Sequence, residues 1–140
     1  MLTKNGRKEI EAGNWGRIYQ ELFHTLIHKF NWAFPSSILE VPFYQTSFAY
    51  TLYLLKKFGH TPKPASFYSD LYLKAFPTLL EHTVESQYLS PEKQFTMSYI
   101  SQVFHRFGKL AGLVDTEKDD LNNVLIEKTP LVDKLVTFLV

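Results

Sequence analysis

Cysteine is absent from the 140-residue chain, which excludes disulfides, thiolate zinc sites and cysteine nucleophiles and leaves the redox compartment open. Net charge is nearly absent as well. Fifteen Lys and Arg against fourteen Asp and Glu leave +1, without the electrostatic footprint that marks most nucleic-acid binders. The halves differ: residues 1–70 carry eight basic and five acidic groups, residues 71–140 seven and nine. No apolar run approaches the roughly 20 residues that cross a bilayer. Lys4, Arg7 and Lys8 are not followed by the hydrophobic stretch of a secretory signal, so a cytoplasmic protein without membrane contact is expected. Catalytic signatures are missing too. No Ser sits in a Gly-x-Ser-x-Gly turn, and no carboxylate pair shares an apolar setting that would split its acidities. The expectation is a protein that is not an enzyme and takes no cofactor, metal or small-molecule substrate.

What is present is hydrophobic and above all aromatic. Hydrophobic residues make up 45% and aromatics 16%, with 12 Phe and 8 Tyr, so the chain can build a core on rings. Its length suits a single domain over 1–140, with a helical N-terminal part over 1–62 and a second part over 66–140. From Asn14 to Phe30, the residues Trp15, Ile18, Tyr19, Leu22, Leu26 and Phe30 recur at helical spacing, and Asn14 is placed as an N-cap. "NWAFPSSILEVPF" follows, an aromatic connection broken by Pro35 and Pro42. Tyr44 to Phe58 reads as a central helix, apolar on most of its circumference and stopped at Gly59. "HTPKPAS" reads as a Pro-rich connector, Ser66 as the cap of the next helix, and Pro77 as its kink or restart.

"SPEK" at Ser90–Lys93 has the order N-cap, Pro, acid of a helix start, and one helix or two short ones then run to Gly112. At 100° per residue, Met97, Ile100, Val103, Phe104, Phe107, Leu110 and Ala111 fall on an inner side, and Ser98, Ser101, Gln102, His105, Arg106 and Lys109 on an outer one. "LVDTEK" and "VLIEK" flank the polar "DDLNN" as a β-hairpin, and Thr129 with Pro130 opens a closing helix. The fold class is therefore mainly α (α+β), a helical bundle with one hairpin.

The order helix, "GLVD", polar tip, "VLIEKTPLVDKL" over residues 92–140 resembles the C-terminal half of a winged-helix domain, with Phe67 to Leu80 as that domain's first helix. The resemblance implies that the third helix enters the major groove, turning Ser98, Gln102, His105, Arg106 and Lys109 towards DNA. The opening "LTKNGRKEIEAG" resembles the end of such a wing entering a helix, with Thr3 and Thr129 as analogous caps, and implies a piece of, or descent from, a longer protein. The pattern also resembles helical regions of uncharacterised bacterial plasmid-type or SEC-C-associated proteins. The wing departs from the family, carrying Asp119 and Asp120 where Lys or Arg grips phosphate.

Each candidate site has a plainer alternative. The outer helix face is able to read bases, contact a protein or be solvated, as any amphipathic surface helix needs a polar side. Trp32, Phe34, Phe43 and Tyr44 form either a partner-binding or self-association surface or part of the core. His24 and His28 lie one turn apart but have no Glu between them and no third ligand, which leaves two exposed histidines. His60 and His82 read as surface residues. Asp115, Glu117, Asp119 and Asp120 lack the Gly and terminal Glu of a calcium loop and read as a solvated acidic tip. Two functions remain: a DNA-associated winged-helix regulator, or a protein-interaction or oligomerisation scaffold without DNA binding.

Overall fold

The computed structural model describes residues 3–30, 32, 43–83 and 85–139, so Phe34 and most of the aromatic connection lie outside the described residues. Those residues are mostly helical, with one three-stranded antiparallel sheet. Two compact units are formed, Met1–Asn31 and Trp32–Val140. The division falls at residue 31, not at the proline-rich connector near 62–66.

The N-terminal unit is a helical hairpin of α1 (Lys4–Glu11) and α2 (Trp15–His28). Thr3 caps α1 by accepting a hydrogen bond from the Gly6 N–H at 3.1 Å. Gly13 turns the chain at φ +69°, a conformation that costs glycine little. Asn14 does not cap α2 with its side chain, contrary to expectation. Its amide donates to Glu9 Oε2 at 2.7 Å instead, and Arg17 meets Glu9 Oε1 at 3.4 Å, so the turn is held by one carboxylate. Neither helix contains a buried residue.

The second unit begins its described part with Trp32, which is fully buried. α3 (Phe43–Thr46) and α4 (Phe48–Phe58) replace the single helix expected from Tyr44, because Ser47 interrupts it. The Ser47 hydroxyl donates to the Phe43 carbonyl and bonds the Tyr72 hydroxyl. "HTPKPAS" contributes a short strand, β1 (Lys63–Pro64), where only a connector was expected. Pro64 lacks an N–H and suits this outer position. α5 (Ala65–Ala75) starts one residue before Ser66, which therefore is not its cap. Pro77 restarts the chain as a 3₁₀ turn over Pro77–His82.

α6 (Pro91–Tyr99) starts where "SPEK" placed it, with Ser90 accepting from the Lys93 N–H at 3.4 Å. Its axis continues as a π-helix over Ile100–Gly108. A Schellman pair ends it, Leu113 N–H to Gly108 O at 2.8 Å and Gly112 N–H to Lys109 O at 3.0 Å, with Gly112 at φ +71°. β2 (Val114–Lys118) and β3 (Val124–Lys128) form the expected ribbon, and β1 completes the sheet in the order β1-β3-β2. α7 (Pro130–Leu135) closes the described fold. Thr129 precedes it without a side-chain cap, because its hydroxyl donates to Gly112 O at 2.6 Å and ties the foot of the ribbon to the end of the π-helix.

The core is aromatic. Tyr72 lies 4.7 Å from Tyr99, 5.2 Å from Phe76 and 5.9 Å from Phe95 between ring centroids. Trp32 stacks flat on Phe107 at 3.9 Å and meets Phe48 edge-on at 4.8 Å. Tyr44 is buried 5.9 Å from both Phe95 and Tyr99, and half-buried Phe43 packs edge-on against Phe76 at 5.2 Å. Trp32 and Tyr44 are thus core residues and not a partner surface, since flat stacking and enclosure remove their faces from water.

Glycine at 59 is required by close approach. A Cβ there would lie 2.6 Å from the Leu55 carbonyl oxygen and 3.1 Å from Cβ of Lys128, whose N–H donates to Gly59 O at 2.8 Å. Gly59→Ala is expected to cost about 1–3 kcal/mol by forcing α4 and β3 apart. Urea denaturation measures this, and an unchanged midpoint would contradict the packing described.

Candidate functional site

The long helix from Pro91 to Gly108 carries the side chains with the best chemical claim to recognition, and its winding decides which of them reach solvent. Buried positions fall as Gln94 and Phe95, Ser98 and Tyr99, Gln102 to Phe104, then Phe107 and Gly108. The groups recur about every four residues, first along α6 and then along the π segment, where each turn takes in more than the 3.6 residues of an α-helix. Exposed positions follow the same step: Lys93, Met97, Ser101, His105 and Lys109.

The outer face expected at α-helical spacing is corrected accordingly. Ser98 and Gln102 are buried and cannot present polar groups to a partner. Met97 and Leu110, expected inside, are exposed, Leu110 to 82%. Ile100 is half-buried, while Val103, Phe104 and Phe107 are inside as expected. Of the five candidates, His105 and Lys109 are open to water and Arg106 is half-buried, its guanidinium 5.7 Å from the Phe107 ring centre. Lys109 Nζ donates to Thr116 Oγ1 at 3.3 Å, linking the helix to β2. Lys93 and Met97 join the outward row although the sequence reading left them out. Both lie in α6, on the side away from Phe95 and Tyr99, and that ring pair was the signal that could have found them.

Ser98 faces inward among hydroxyls. It acts on the Tyr44 phenol, yet neither group has a partner in good hydrogen-bond geometry, and the Tyr68 hydroxyl is likewise buried without one. The Tyr99 hydroxyl pairs with Thr51 Oγ1 at 2.9 Å. Burial raises the pKa of Tyr44, Tyr72 and Tyr99, and pushes that of Tyr68 up to about 12. These phenols therefore stay neutral and serve packing.

Beside the helix the ribbon presents carboxylates. Val114, Thr116, Ile126 and Lys128 share the inner face of β2 and β3, and Asp115, Glu117, Leu125 and Glu127 the outer one. Asp115 stands opposite Glu127 in the ladder, an unfavourable like-charge pairing. At the tip, Asp119 Oδ1 accepts from the N–H groups of Leu121 and Asn123 at 3.0 and 2.8 Å, and Oδ2 from the Asn123 amide at 3.0 Å. Asn122 takes φ 63°, which asparagine tolerates. The tip thus holds Leu121 out to water, 82% exposed.

His24 and His28 are both exposed, with ring centres 4.4 Å apart. No group of three or more His, Asp or Glu able to hold a metal occurs among the described residues. No helix among them is long and apolar enough to cross a membrane. No family model, no curated protein and no solved structure matches this chain.

Hydrogen bonds from the Asn123 side chain and then its backbone hold the Asp119 carboxyl below its usual range. A depressed value means the carboxylate supports the tip at any pH above the ordinary Asp value of about 3.9, and that support is lost as pH falls through the lower folded value. Carbon-detected NMR is expected to place the Asp119 midpoint below that of a model aspartate. Asp119→Ala should speed amide exchange at Leu121 and Asn123, and a midpoint at or above the ordinary value would contradict this geometry.

Proposed function

We propose that the chain is a non-enzymatic cytoplasmic interaction module of bacterial origin, built on a winged-helix plan, whose outward helix row and acidic ribbon contact protein and not DNA. Two features support the winged-helix reading: the succession α4, β1, α5, α6, β2, β3 and the sheet order β1-β3-β2. On this reading α4, not the Phe67–Leu80 segment, takes the place of the first helix of such a domain. The observation that carries the choice of partner is the ribbon. A wing that grips phosphate needs cations, whereas this one turns Asp115, Glu117 and Glu127 outward on one face and carries Asp119 and Asp120 in its tip. The helix row adds to the argument, for Ser98 and Gln102, two of the three side chains, with Arg106, able to read base edges, are buried. Exposed Met97 in the middle of the row adds an apolar side chain of a kind enriched at protein interfaces.

A DNA-associated regulator is the second reading, favoured by one observation: Lys93, His105 and Lys109 align on the exposed side of a helix in the position of a recognition helix. Anisotropy with mixed-sequence duplex DNA at low salt separates the two. The protein reading expects no saturable binding at tens of micromolar chain. Saturable binding that Lys93→Glu with Lys109→Glu abolishes, with a salt slope reduced by about one per lysine, would establish the DNA reading. A photocrosslinking amino acid at Ser101, compared with one at exposed Asp70 on α5, supplies the positive test in cells of the source bacterium. Protein adducts from position 101 alone are expected; equal yields from both positions would count against the row as a contact surface.

A further inference from the structure

The N-terminal hairpin carries apolar side chains that nothing within the hairpin covers. Trp15 and Leu22, seven residues apart and so on one face of α2, are 65% and 64% exposed, and Ile10 at the end of α1 is 37% exposed. An open groove of about 910 Å³ runs between the helices, with Ile10, Ile18 and Leu22 on its floor. Short helices are marginal alone in water, and a unit with no buried residue among those described has little core to offset the entropy of ordering its chain.

We propose that this face pairs with the same face of a second copy, forming a two-fold dimer through α1 and α2. Area is the first argument. Judged by the usual size of such side chains, Ile10, Trp15 and Leu22 leave on the order of 350 Å² of apolar surface open per copy. Burying both sets, at the roughly 60% apolar share of protein interfaces, corresponds to about 1,100 Å² in total, above the roughly 1,000 Å² that a specific interface needs. Charge is the second argument. Lys8 and Arg17 border the groove together with Glu9 and Glu21. That balanced rim matches itself under a two-fold axis, where each copy offers both signs, and it selects no strongly acidic or basic stranger. The pairing rests on the N-terminal unit alone and stands or falls separately from the reading of α6 and the ribbon. It also moves self-association away from Trp32 and Tyr44, which are core residues.

Sedimentation velocity of the full chain from low micromolar to several hundred micromolar tests the pairing. A monomer–dimer equilibrium is expected, with acrylamide quenching of Trp15 falling as dimer forms while buried Trp32 stays protected throughout. Leu22→Glu should weaken the dimer about tenfold or more with the far-ultraviolet circular dichroism unchanged, because Leu22 is exposed in the monomer. Should that variant lose helicity, Trp15→Lys carries the same expectation. A monomer at every concentration would overturn the proposal. So would a dimer indifferent to both substitutions, or a Trp15 protected from quencher in the monomer, which would mean that the chain covers this face itself.

Discussion

The second unit depends on the enclosure of Tyr99. Its ring is fully buried against Tyr72, Phe95 and Phe104, at centroid distances of 4.7, 5.6 and 5.2 Å, and its hydroxyl reaches Thr51 on α4. Burying a phenol costs less when its oxygen keeps a partner, and the bond to Thr51 ties the depth and rotation of α6 to α4. Ser69 performs a smaller version of the same task, bonding Thr96 Oγ1 at 3.1 Å and so fastening α5 to α6. The helix leaves α geometry immediately after Tyr99. Two large rings, Phe104 and Phe107, must still be housed within the following eight residues, and wider turns bring Val103, Phe104 and Phe107 to the core side together.

That winding governs the surface. The packed rings hold Ser98 of α6 and Gln102 of the π segment inward and leave an outward row every fourth residue, so the chemistry open at the surface follows from how the rings pack. The ribbon is positioned by the same helix: its first strand leaves a Schellman turn, and Val114 presses on Gly108 so closely that a Cβ there would stand 3.1 Å from a Val114 methyl. Lys128 bonds Asp133 at 2.6–2.7 Å and Lys56 reaches the Val136 carbonyl, so α7 is fastened to both β3 and α4.

Much of this was legible in the sequence. Ser90 with Pro91 marked a helix start, Pro77 a restart, and the alternation around "DDLNN" a hairpin, because each signal is local and its chemistry sits within four residues. What was not legible depended on distant groups. Asn14 looks like a cap until Glu9 claims its amide, and Thr129 looks like one until Gly112 offers its carbonyl. β1 is only two residues long and pairs with Ile126 and Leu125 more than sixty positions away. The outer helix face was misassigned partly because 100° per residue fails once hydrogen bonds skip to the fifth neighbour after Tyr99, and partly because Phe95 and Tyr99, which set the buried side of α6, were not counted in its inner face. Aromatic density around Trp32 and Tyr44 suited a core and a docking surface equally, and only their neighbours Phe107, Phe95 and Tyr99 decide between them.

The junction at Thr129 has a bearing on how such a chain diversifies. Its hydroxyl and N–H hold Gly112 O and Leu113 O, closing residues 113–128 at their base before either strand extends outward. A hairpin anchored in this manner behaves as an exchangeable appendage. Lengthening, shortening or recharging it beyond Lys118 and Val124 leaves the aromatic interior free to fold as before.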